Sequence, residues 1–84
     1  AEYFEQVATL VDPKLASNWI IAELFGRLNK ANLEIKDSPI SVYQLAELIK
    51  LIQDNTISGK IAKQVFDIMF ETRENPIVIV EREG

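Results

Sequence analysis

Apolar positions recur along this chain at three- and four-residue intervals, the spacing of helices that each bury one face. The densest stretch lies within Asp12 to Ala31, where eight of the eleven residues from Leu15 to Phe25 are apolar. It predicts one long helix. Asp12 is suited to cap its start, and Pro13 sits at the first helical position, where a missing N–H costs nothing. At about 100° per residue, Leu15, Trp19, Ala22 and Gly26 fall on one side and Ile20, Leu24, Leu28 and Ala31 on another. Glu23, Arg27 and Lys30 form a polar strip between them. A helix apolar on two sides predicts cover on two sides, with the other elements packed around it. Gly26 would let a neighbouring backbone come close.

The flanking segments read the same way. Glu2 to Val11 is amphipathic, with Tyr3, Phe4, Val7, Ala8 and Val11 on one face. The short break at Asp12-Pro13 predicts that it folds back on the long helix. Asn32 is placed to close that helix in a left-handed conformation. A loop to Ile40 follows, with a turn at Asp37-Ser38-Pro39. Ser41 and Gln44 have the spacing of a capping box, and Ile40 and Leu45 that of a hydrophobic staple. They open a helix with Val42, Leu45, Ala46, Leu48, Ile49 and Ile52 inward and Gln44, Glu47, Lys50 and Asp54 outward.

After the turn Asn55-Thr56-Ile57, Ser58 caps a helix over 59–71. Its inner face is Ile61, Ala62, Val65, Ile68 and Met69, with Phe66 at the margin. Asn75-Pro76 signals a further helix start. The run Ile77-Val78-Ile79-Val80 prefers strand, but no other segment offers it a partner, so a short helix is expected. The predicted fold is all-α: a small orthogonal bundle of four main helices with a short fifth, spanning 1–84 as one domain, with 74–84 leading toward a further domain.

Composition narrows what such a bundle can do. The 84 residues contain no cysteine and no histidine. Disulfides, thiolate metal sites and the commonest general base are therefore excluded. The lack of cysteine accords with a cytoplasmic protein. Nine basic residues against thirteen acidic give a net charge of −4, which disfavours strong autonomous nucleic-acid binding. No apolar run approaches the roughly 20 residues of a membrane span, and no membrane partner is expected. The opening Ala1-Glu2-Tyr3, already helical in pattern, suggests a piece of a longer protein.

Candidate chemistry is sparse. Ser58-Gly59-Lys60 does not make a phosphate loop, because Asp54 stands where that motif needs glycine. The helix start is more informative. Lys60 and Lys63 lie in its first two turns, where cations oppose the helix dipole. An anion held there by the backbone and the lysines would offset that cost. The plainer reading has both lysines solvated, with Lys63 paired to Asp67. A helix-turn-helix presenting Lys60, Lys63 and Gln64 is disfavoured by the acidic balance. Trp19 reads as core rather than ligand platform. Glu23 reads as the partner of Arg27 rather than as a catalytic group.

Taken together, several segments resemble one family. They are Lys14-Leu15-Ala16-Ser17-Asn18-Trp19, Glu23-Leu24, Leu28-Asn29, Asp37-Ser38-Pro39-Ile40-Ser41 and Gln44-Leu45-Ala46-Glu47-Leu48-Ile49. The most specific is Thr56-Ile57-Ser58-Gly59-Lys60-Ile61-Ala62-Lys63, continuing to Val65-Phe66, Met69 and Glu71. Nearly end to end, the chain resembles the helical region that follows the catalytic core in B subunits of the aspartyl/glutamyl-tRNA(Asn/Gln) amidotransferase family.

The resemblance implies a parent enzyme that converts Glu-tRNA(Gln) or Asp-tRNA(Asn) to the amide. It would use ATP and Mg²⁺, with ammonia from a glutaminase A subunit and a small C subunit alongside. It implies that this region carries no catalytic residue and no cofactor. The region would connect the core to a tRNA-binding tail related to the YqeY family. Candidate tRNA contacts are Ser58, Gly59, Lys60 and Lys63, with Arg27 and Lys30 weaker. The alternative is a protein-interaction or spacer module without nucleic-acid contact of its own. The sequence departs from the family at Asn55, where glycine is common, and in the apolar character of Ile77 to Val80. That run is expected to pack on the tail or, in an isolated piece, to pair molecules.

Overall fold

Asp12 stands outside helical geometry (φ −58°, ψ 121°), and its carboxylate accepts a hydrogen bond from the Lys14 N–H at 2.9 Å. Pro13 follows as the first helical residue, as its missing donor allows. These details come from a computed structural model that describes residues 2–83. Its elements are all helical: α1 (Glu2–Leu10), α2 (Pro13–Asn18), a π-helical segment (Trp19–Leu24), α3 (Phe25–Lys30), a 3-10 turn (Ile35–Asp37), α4 (Val42–Gln53), α5 (Gly59–Thr72) and α6 (Pro76–Glu83). The all-α reading holds. The described chain forms two compact units, divided between Ser38 and Pro39.

In the first unit, the rod from Pro13 to Lys30 is unbroken, because the junction residues Asn18, Trp19, Leu24 and Phe25 all keep right-handed helical backbone. It is not, however, one regular α-helix. The Phe25 N–H donates to the Ile20 carbonyl, five residues back, which widens the turn. At about 100° per residue a four-residue repeat drifts about 40° per step. The wider turn offsets that drift. Ala16, Ile20, Leu24 and Leu28 therefore share one buried line at strict four-residue intervals.

The second apolar face is only partly covered. Trp19 is buried, but Ala22 and Gly26 are exposed and Ile21 is 64% exposed. A Cβ built on Gly26 would meet no heavy atom within 4 Å. The expected close backbone approach at Gly26 does not occur.

α1 packs on α2, burying Val7 and Val11. Phe4, expected inward, is at the exposed margin. The Tyr3 phenol is hydrogen-bonded to the side chain of Ser38. Asn32 closes the rod at φ 59°, with Leu33 N–H to Leu28 O at 2.9 Å and Asn32 N–H to Asn29 O at 3.2 Å. This paired pattern is the left-handed cap predicted for asparagine there.

In the second unit, Ser41 and Gln44 complete the capping box. Gln44 N–H donates to Ser41 Oγ at 3.1 Å, and Ser41 N–H to Gln44 Oε1 at 2.9 Å. Both residues of the staple pair, Ile40 and Leu45, are fully buried. α4, α5 and α6 each pack against the other two, around Leu45, Leu48, Ile49, Phe66, Met69 and Ile79. Phe66 therefore lies at the centre rather than the margin, and Ile61 is turned outward, 45% exposed. Leu51 is buried, while Val42 and Ile52 are half-buried. These shifts follow from packing two neighbours rather than one, which rotates the buried stripe of each helix. Residues 76–83 are helical, as expected, and not a strand.

Candidate functional site

The turn from α4 into α5 is tightly built. Asn55 adopts φ 62°, a conformation that asparagine, like glycine, tolerates. Thr56 N–H bonds Leu51 O at 2.9 Å, and Asn55 N–H bonds Ile52 O at 3.1 Å. Asp54 Oδ1 accepts from both the Thr56 N–H (3.1 Å) and the Thr56 hydroxyl (2.6 Å). Ile57 is buried and anchors the turn from within. The chain then enters Ser58 in extended backbone, and Ser58 Oγ caps the Ile61 N–H at 3.2 Å.

This arrangement leaves the start of α5 open. Gly59, Lys60, Lys63 and Gln64 are exposed, and a Cβ on Gly59 would meet nothing within 4 Å. A bulky anion could reach the backbone there. The positive end of the helix dipole and the two ammonium groups act with the same sign. Ser58, Gly59, Lys60 and Lys63 are thus brought together within the first two turns.

Arg27 and Lys30 belong to the first unit. Arg27 Nη1 is committed to Glu23, at 2.9 Å from its Oε1 and 3.1 Å from its main-chain carbonyl. Both side chains are about four-fifths buried. The expected Glu23–Arg27 pair is therefore present. Lys30 is exposed in the last turn of α3, where the helix dipole favours a cation in any case.

Beside the α5 start, a groove of about 430 Å³ is lined by α5 and α6, with Ile57, Ile61, Val65, Ile79 and Val80 as apolar walls. Ser58 and Gln64 belong to its lining, and Glu83 is its one carboxylate. General acid–base chemistry of the two-carboxylate kind needs a second group. Among the described residues, no three or more His, Cys, Asp or Glu side chains are grouped to hold a metal ion.

Two residues of the outward face of α4 do more than the sequence predicts. Gln44 uses both ends of its amide: besides the capping box, Nε2 donates to the Arg73 carbonyl at 2.9 Å and to Asn75 Oδ1 at 3.2 Å. Glu47 Oε1 accepts the Ile77 N–H at 3.2 Å, capping α6 from outside. The capping-box spacing reveals half of the Gln44 role. Nothing local in sequence signals the rest, since the partners lie about thirty residues away. At the far end of α6, Arg82 Nη1 meets Glu74 Oε2 at 2.7 Å. That hydrogen bond holds the Glu74 carboxyl below its ordinary range and the Arg82 guanidinium above its own.

An all-α chain with three side-chain-capped helix starts and an open cationic helix terminus has the character of a helical module. The family model for the GatB domain matches residues 2–84, and the chain belongs to that family. Over all 84 residues it is 60% identical to the B subunit of the aspartyl/glutamyl-tRNA(Asn/Gln) amidotransferase of Rickettsia bellii. The corresponding protein of Rickettsia typhi is 56% identical and that of Rickettsia africae 54%, again over the whole chain. The chain spans 17% of the length of each of these relatives. Among the described residues, no helix is long and apolar enough to cross a membrane.

Proposed function

We propose that this chain is the non-catalytic helical module of a tRNA-dependent amidotransferase B subunit. It connects the catalytic core to the tRNA-binding tail and helps orient Glu-tRNA(Gln) or Asp-tRNA(Asn) for transamidation. The reading rests on similarity, over the whole of this chain, to the B subunits of such amidotransferases. The open start of α5, with Lys60 and Lys63 beside a helix N-terminus, supports phosphate contact. In this reading ATP and Mg²⁺ serve the parent enzyme outside this region. The glutaminase A subunit and the small C subunit are partners of the whole assembly, which works in the cytoplasm.

The test is tRNA affinity of the intact enzyme carrying Lys60→Ala and Lys63→Ala, measured across salt concentrations. Loss of two phosphate contacts would weaken binding several-fold and lower the salt slope by about two. An unchanged affinity and slope would favour the second reading, a spacer with no nucleic-acid contact, which the net charge of −4 supports.

A further inference from the structure

The helix α6 is stabilised largely from outside itself. Ile77-Val78-Ile79-Val80 is a run of four β-branched residues, which favours extended backbone over helix. α6 has eight residues, short of the roughly 12–15 at which an isolated helix becomes even marginal in water. Its first turn is completed by Glu47 of α4, which accepts the Ile77 N–H. The connection into it is held by Gln44 of α4, through the Arg73 carbonyl and Asn75 Oδ1. Arg73 sits at φ 64°, a conformation a non-glycine residue keeps only when its surroundings over-determine it. Pro76 and Ile79 are fully buried, whereas Ile77 and Val78 are 40% and 44% exposed and are covered only in part.

We infer that α6 is a conditional helix: helical while Gln44 and Glu47 latch it to α4, and extended once that latch is released. All three latch bonds lie at the surface, so they open without unfolding α4 or α5. Release exposes Ile79 together with its neighbours. The segment then presents a continuous apolar, strand-prone run in place of a docked helix. One stretch of sequence thus carries two conformations, and two side chains of α4 choose between them.

Amide hydrogen exchange and Cα chemical shifts of the 84-residue chain test this. In the unmodified chain, the amides of residues 79–83 should exchange on the order of tenfold faster than those of Leu48, Ile49, Phe66 and Met69, through a separate local opening. Gln44→Ala with Glu47→Ala should speed α6 exchange by about another tenfold, leave the α5 core amides within about twofold, and move the shifts of Ile77 to Val80 from helical to extended. Adding Ile77→Ala and Val78→Ala, at exposed positions, should restore helical shifts despite the broken latch. The inference is overturned if α6 is as protected as α4 and α5 in the unmodified chain. It is also overturned if all three lose protection together, if the unlatched segment stays helical, or if the alanines fail to restore the helix.

Discussion

Arg27 reaches back one turn to Glu23 and binds it twice, through the carboxylate at 2.9 Å and through the main-chain carbonyl at 3.1 Å. Glu23 lies in the π-helical segment and Arg27 in α3, so the guanidinium ties the widened turn to the regular helix after it. With both side chains about four-fifths buried, the pair should exceed the small value of a fully exposed one. Arg27→Ala should lower stability by about 1 kcal/mol, and Arg27→Lys by less. Thermal unfolding of these variants, in a double-mutant cycle with Glu23→Ala, measures the pair directly.

Gly26 sits inside α3 with free space where a side chain would project. Glycine in a helix interior is costly because its backbone loses the most freedom on folding. Gly26→Ala should therefore raise stability by about 0.5–1 kcal/mol. A denaturant midpoint that falls instead would show that a neighbour occupies that space in solution.

Arg73 and Asn55 both adopt left-handed backbone, at φ 64° and 62°. Asparagine bears this conformation at lower cost than arginine. Arg73→Gly should stabilise by about 0.5 kcal/mol after the greater freedom of the unfolded chain is subtracted, and Asn55→Gly by less. The Gln44 bond to residue 73 uses its carbonyl and survives the substitution. Urea unfolding of the two variants side by side gives the order.

Burial raises the Tyr3 phenol above its ordinary 10.0, opposed in part by the hydrogen bond to Ser38. The folded value lies above the unfolded one, so this contribution to stability is complete below pH 10. It is lost as pH rises beyond that, because the unfolded chain releases a proton that the folded chain keeps. The difference in stability between the unmodified chain and Tyr3→Phe should therefore change above about pH 10, by at most about 1.4 kcal/mol per pH unit. Denaturant titrations at about pH 9 and about pH 11 read that change, and parallel behaviour of the two proteins would refute it.

Much of this fold is written in interactions that span four residues or fewer. Asp12, Ser41 and Ser58 stop the chain and start helices because their side-chain oxygens reach N–H groups two or three residues on. Asn32 and Asn55 end helices because asparagine bears a left-handed backbone. Glu23 and Arg27 meet because the helix sets them one turn apart. The cluster from Ser58 to Lys63 is legible for the same reason, while the family that the chain belongs to is legible from motifs spread along its whole length.

Other features depend on which element lies opposite, and no local pattern contains that. The π-helical turn places Ala16, Ile20, Leu24 and Leu28 on one line and leaves Gly26 in the open. Phe66 becomes a core centre because α5 packs against two neighbours. The second half of Gln44 and the whole of Glu47 act across about thirty residues. The clearest case is Ile77 to Val80. Their sequence by itself leans toward strand, while burial of Ile79 and the two side chains of α4 make the segment helical. Local chemistry determined where the helices begin and end; tertiary packing decided which faces they bury and the state of α6, because those free energies belong to contacts between elements.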